Sequence, residues 1–97
     1  MKHQFTMEAE RDYEEATLYY RSISKRLADF FFKEIELGII SIKKFPRAWP
    51  QMDQKTRCYF GNRFSYGIYY RIIENTILIG GILNLKRSPE LWKKRFK

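Results

Sequence analysis

Two hydrophobic periods divide the chain. From Ala9 to Phe45 apolar residues recur every three or four positions; from Thr56 to Asn84 they alternate. The first spacing lines one face of an α-helix and the second one face of a β-strand. Ala9, Tyr13, Ala16, Tyr20 and Ile23 make a single stripe, which predicts a helix of about four turns with Asp12, Glu14 and Glu15 off it. Thr6 is its candidate N-cap, because a hydroxyl there can accept from the free amides of the first turn. Glu8 and Glu10 follow where the helix dipole favours anions. Ser24 is a second candidate cap. After it Leu27, Phe31, Ile35, Ile39, Ile42 and Phe45, widened by Phe30, Leu37 and Ile40, predict a long amphipathic helix stopped by Pro46. Only Ile23-Ser24-Lys25 separates the two, so they should form an antiparallel hairpin.

Ahead of the helices, His3-Gln4-Phe5-Thr6 reads as a short strand. Behind them, Pro46-Arg47-Ala48-Trp49-Pro50 is a stiff connector whose Trp should cap the hairpin rather than hold a ligand. Thr56–Phe60, Tyr66–Ile73 and Thr76–Asn84 read as three strands, divided at Gly61-Asn62 and at Glu74-Asn75. The latter is a tight-turn candidate, since Asn tolerates left-handed backbone. The middle strand puts Tyr66, Ile68, Tyr70 and Ile72 on one side and Tyr69, Arg71 and Ile73 on the other, while Gly80-Gly81 marks a bulge or close approach. Ser88-Pro89-Glu90 supplies a cap, a Pro at the first helical position and an acid, predicting a short C-terminal helix. The expectation is one domain over 1–97 of α+β class: an N-terminal strand, an antiparallel helical hairpin, a three-stranded antiparallel meander and a short C-terminal helix, with the helices on one sheet face. The other face, bearing Arg57, Tyr59, Tyr69 and Arg71, should be wet and basic.

Composition narrows the function. With 97 residues, 44% hydrophobic and 18% aromatic, the chain can build a core. No apolar run approaches the roughly 20 residues that span a bilayer, and Met1-Lys2-His3-Gln4-Phe5 lacks a signal-peptide stretch. One Cys excludes an internal disulfide, and one Cys with one His cannot build a zinc site. A cytoplasmic protein without metal, cofactor or membrane is therefore expected. Charge is the sharper signal: residues 55–97 carry ten basic and two acidic side chains, so this segment alone equals the total of +8. Such a field suits an anionic partner, either nucleic acid or acidic protein.

Lys55, Arg57, Arg63, Arg71, Lys86 and Arg87 are the candidates for holding a phosphodiester during RNA cleavage, which needs cations for the phosphate and proton-transfer groups for the 2′-hydroxyl and leaving oxygen. No dedicated acid–base pair accompanies them. His3 lies far away in the first strand and should face solvent. Cys58 alternates with Arg57 and Tyr59 and should point into the core, and Tyr19 and Tyr20 should pack. As a set the cations read as a binding surface: Arg57, Arg71, Lys86, Arg87, Lys93, Lys94 and Arg95, with Trp92 docking its ring against the sheet or hairpin.

Strand, hairpin, meander and a closing Lys86-Arg87-Ser88-Pro89 with Trp92 and Arg95 resemble the RelE/ParE superfamily of bacterial type II toxins, which includes plasmid-stabilisation proteins. Tyr19-Tyr20, Leu27-Ala28-Asp29-Phe30, Phe45-Pro46, Trp49-Pro50, Phe64-Ser65-Tyr66 and Tyr70-Arg71 carry the resemblance along essentially the whole chain. Two positions depart from it: Asn84 where members often have His, and Gly67 where they often have a basic residue. Both remove polar groups from the face a nuclease would use. The resemblance therefore implies a ParE-like toxin that inhibits DNA gyrase and replication and is neutralised, in a hetero-oligomer, by an acidic antitoxin. The alternatives it implies are a RelE-like ribosome-dependent mRNA endoribonuclease and a non-toxic relic that still binds its antitoxin.

Overall fold

In the computed structural model, which describes residues 1–87 and 90–96, both hydroxyl caps close on their helices. Thr6 Oγ1 accepts from the Ala9 amide at 3.1 Å and opens α1 (Met7–Ile23). Ser24 Oγ accepts from the Leu27 amide at 3.0 Å and opens α2 (Lys25–Lys44). Each bond satisfies an amide that has no partner within its helix and contributes about 1 kcal/mol. Ser24 also ends α1 by donating its N–H to the Tyr20 carbonyl, so one residue rather than three separates the helices. Tyr20 meets Phe31 with ring centroids 5.0 Å apart, while Tyr13, two turns earlier, donates to Glu36 at 2.8 Å. Contacts that move up one helix as they move down the other make the hairpin antiparallel.

The strands β1 (Lys2–Phe5), β2 (Thr56–Phe60), β3 (Tyr66–Ile73) and β4 (Thr76–Asn84) form one sheet in the order β1-β4-β3-β2. β1 runs parallel to β4, and the other three form the antiparallel meander. Thr6 leaves the first strand to serve the helix. At the β3–β4 turn the left-handed residue is Glu74 (φ 56°), not Asn75. Ile73 pairs with Thr76, so Glu74 and Asn75 are the two loop residues, and the positive φ that turns the chain falls on the first of them.

Gly80 is the bulge. Tyr69 faces Gly81 and Tyr70 faces Ile79, leaving Gly80 unopposed. A slip of one residue exchanges the two faces for everything beyond it. Ile82 therefore joins Ile77 and Ile79 beneath the helices, where strict alternation would have turned it away. There they pack with Phe31, Ile35, Ile39 and Ile42 of α2, Ala9 and Ala16 of α1, and Ile68 and Tyr70 of β3. Gly38 permits the approach of α2: a Cβ there would stand 2.8 Å from the Tyr59 ring and 2.9 Å from Ile68 Cδ1. A second buried cluster, Cys58, Tyr69, Leu83 and Trp92, occupies the opposite sheet face. The segment covering it holds the predicted short helix as a single 3₁₀ turn, Leu91–Lys94. Glu90 makes no side-chain capping bond there, and the predicted Ser88-Pro89 start lies outside the described residues.

Candidate functional site

The face expected to be wet and basic is neither. Strand β2 carries Thr56 and Cys58 opposite Arg71 and Tyr69, and Arg57 and Tyr59 opposite Tyr70 and Ile68. Opposed residues share a face, so Arg57 and Tyr59 belong to the helix side, a phase opposite to the expected one. Arg57 there donates through Nη1 to the Trp49 carbonyl at 2.7 Å, and the Tyr70 hydroxyl donates to the Pro46 carbonyl at 2.7 Å. The Trp49 ring meets Tyr59 edge-on at 4.8 Å. These bonds pin the connector, and Trp49 closes the hairpin end as the sequence suggests.

The second face is roofed by the C-terminal segment. Trp92 lies flat on Tyr69, with ring centroids 5.8 Å apart and planes 7° from parallel. Phe96 fills the place a side chain at position 80 would take: a Cβ on Gly80 would stand 2.5 Å from its ring. Arg71 stacks on the far side of this arrangement, its guanidinium 4.5 Å from the Phe96 centroid and its Nε donating to Thr56 Oγ1 at 2.9 Å. The anchor is Arg95, which donates to both carboxylate oxygens of Asp12 at 2.6 and 3.1 Å and to the Gly80 carbonyl at 3.2 Å. Asp12 accepts a further bond from the Ile82 amide at 3.0 Å. The Arg95 and Asp12 side chains are only 10% and 15% exposed, so their charges are compensated by geometry rather than by water. The bond to Asp12 raises the pKa of Arg95 further. Trp92 and Arg95, both binding candidates in the sequence, are thus committed to holding the fold, because the apolar second face requires a cover. Cys58 beneath them is fully buried, and burial pushes its thiol up to about 12, which makes it a small apolar group.

The other cations disperse. Lys55 is exposed in a turn where Asp53 Oδ1 accepts from the Lys55 and Thr56 amides at 2.9 and 2.6 Å. The Arg63 guanidinium lies 4.6 Å from the Phe30 ring centroid, while its amide and that of Phe64 donate to Glu34 at 2.7 and 3.1 Å. Lys93 forms an exposed ion pair with Glu90, and such pairs contribute little. Lys86, Arg87 and Lys94 are exposed. Of the six phosphodiester candidates, Arg57 and Arg71 face opposite sides of the sheet, Arg63 rests on α2, Lys55 and Arg71 share the Asp53 turn, and Lys86 and Arg87 adjoin each other beyond the other end of the meander. They do not surround a common point.

A cleft of about 510 Å³ does open beside Arg87, lined by Tyr19, Tyr20, Tyr66, Asn84 and Leu91 among others. Tyr66 stands opposite Asn84 across the meander. Burial pushes the Tyr66 hydroxyl up, with Asn84, Tyr20 and the Arg87 charge pulling the other way. Burial, then the nearby Tyr66, pushes Tyr20 up to about 12. Both are neutral phenols at physiological pH, able to hydrogen-bond but not to take a proton. Sequence reasoning assigns Tyr19 and Tyr20 to packing and passes over this cleft, whose one legible sign is polar Tyr66 and Asn84 ending two neighbouring strands. His3 is half-buried rather than solvent-facing, and burial and Lys43 lower its pKa. Among the described residues no helix is long and apolar enough to cross a membrane.

The chain has the α+β fold that the toxin resemblance implies, with strand, helical hairpin and meander in the same order. Among solved structures it is similar to a chain of the "Chromosomal ParDE TA system from P. aeruginosa", with a TM-score of 0.68 and 18% identity over 87% of this chain and 95% of that one. No protein-family profile and no curated protein matches the sequence.

Proposed function

We propose that this chain is the toxin of a type II toxin–antitoxin pair, that it acts in the cytoplasm on DNA gyrase in the ParE manner, and that an acidic antitoxin neutralises it. The observation that carries the reading is the dispersal of the cations, joined to the fold likeness. Cleavage of RNA by in-line attack needs cations and proton-transfer groups around one phosphate. Here Arg71 is held beneath Phe96, Arg57 is tied to the connector, and a neutral Cys58 and neutral tyrosines occupy the rest. The charges left for a macromolecular target are Arg63, Lys86 and Arg87 beyond one end of the meander, Lys55 beyond the other, and Lys93 and Lys94 on the cover, all exposed.

The antitoxin surface in this reading is the outer row of α2, where Arg26, Lys33, Leu37, Ile40 and Lys44 are exposed. A row that alternates cation and hydrophobe suits an acidic amphipathic segment. Induced expression tests the whole. The expected result is growth arrest with accumulation of cleaved gyrase–DNA complexes, relieved by a co-expressed acidic antitoxin. Ribosome-dependent mRNA cutting would replace the gyrase assignment with a RelE-like one, and harmless expression would reduce the chain to an antitoxin-binding relic. Free RNA incubated with the purified protein should stay intact.

A further inference from the structure

The helical hairpin carries two apolar surfaces of opposite charge. One is a groove of about 350 Å³ between α1, α2 and β1, walled by Phe5, Tyr13, Leu18 and Phe32. Leu18 is 56% exposed and Phe32 53%, although burying either would remove a large apolar area from water. Glu10 and Glu14 of α1 frame this groove, and the Tyr13 hydroxyl at its floor is bonded to Glu36. The other surface is the outer row of α2. Its Leu37 and Ile40 are 52% and 51% exposed, and Lys33 and Lys44 each stand one turn from one of them. An occupant of the groove must be apolar and cationic, because an acidic helix would meet Glu10 and Glu14. That description fits the α2 row of a second copy.

We propose that the protein self-associates as a twofold dimer in which the α2 row of each copy lies in the groove of the other. Row and groove share one helix, so a twofold axis uses both on both copies and closes the assembly. A head-to-tail contact would leave one of each open and continue. The row is the one given to the antitoxin above, so a dimer and an antitoxin complex would be competing states of the chain, and the test below uses the purified chain without antitoxin.

Sedimentation velocity of the full chain over a concentration series tests it, run at low and at high salt. The expected result is a monomer–dimer equilibrium that weakens with salt, since screening acts on exposed charges. Glu10→Lys with Glu14→Lys should raise the dimer Kd by about tenfold or more, as should Lys33→Glu with Lys44→Glu. All four together should return it to within about threefold of the wild type, because the charge pattern is then inverted but still complementary. Circular dichroism of each variant checks that these exposed substitutions leave the fold intact. A chain that stays monomeric throughout at low salt overturns the proposal, and assigns the groove to a cationic segment of some other molecule. A dimer indifferent to the charge reversals, or one that the fourfold variant does not restore, overturns it equally.

Discussion

The two faces of the sheet are buried by different means. On one, two long helices lay down a cluster that runs from Ala9 to Ile82, with side chains contributed by four elements and the loop before β3. On the other, a 3₁₀ turn and a few side chains cover only Cys58, Tyr69 and Leu83, fastened by one ion pair and two rings. The first arrangement is redundant, so a lost contact is shared among many neighbours. The second has no spare parts. A single substitution there should free the cover while the hairpin and sheet remain folded, which is the behaviour expected of a separable unit of low local stability.

Phe31→Ala should do the most damage, lowering stability by about 3–5 kcal/mol, because it empties the centre of the helix-side cluster. Chemical denaturation should show the whole protein shifting together. Trp92→Ala should lower stability by about 3 kcal/mol at the other face. Its distinguishing readout is Cys58, whose reaction with a thiol reagent should accelerate far more than in Phe31→Ala when both are compared under native conditions. An unchanged melting temperature and an unchanged thiol would mean that Trp92 is not the roof it looks like, and would return it to the binding surface. Asp12→Asn should cost about 2 kcal/mol by leaving Arg95 with an uncompensated, nearly buried charge. Trp92 fluorescence should shift to the red as the cover loosens. If it does not, the rings hold the segment without the ion pair.

Two smaller effects set the scale. Glu74→Gly should stabilise the chain by about 1 kcal/mol, since it removes a side chain from left-handed backbone at the hairpin tip. A rise in melting temperature of roughly 4–8 °C would follow for a domain of this size. The last effect concerns pH. The Cys58 thiol, ordinarily near 9.0, is pushed up to about 12. The folded chain therefore keeps a proton that the unfolded chain gives up, so stability is intact below the ordinary thiol range and falls as pH rises towards about 12. At pH 9 the loss is about 0.4 kcal/mol, and Cys58→Ala should abolish that part of the slope in denaturation curves.

What could be read from the residues follows the range of the interactions. The caps at Thr6 and Ser24, the centres of both helical stripes and the alternation of β3 depend on neighbours within a few positions and appear as the pattern predicts. Ile23, Leu37, Ile40 and Phe45, counted into the stripes, are instead exposed, because they lie at the helix ends or on the outer side of α2. The bulge at Gly80-Gly81 was legible because two adjacent glycines in a β-branched strand have few other uses. The face of β2 was not, since Thr56, Arg57, Cys58, Tyr59 and Phe60 offer no clear contrast between odd and even positions. Its phase is fixed only by pairing with β3. Asp12 looked like an ordinary solvated acid off the first stripe, and nothing nearby announces its partner. The cations of the C-terminal third were visible as a charge density, but their separation onto different surfaces was not, because composition carries no direction.

The pairing of Asp12 with Arg95 also has a consequence in time. It joins residues 83 positions apart, among the longest closures the chain makes. Such a contact forms only after the intervening chain has been ordered, because the entropy of closing so long a loop must be met before the bond rewards it. During synthesis the helix hairpin and meander emerge first, with Cys58, Tyr69 and Leu83 still open to water. Until the segment carrying Trp92, Arg95 and Phe96 swings back, the sheet presents a bare apolar face, and the Asp12 pairing is what holds it covered afterwards.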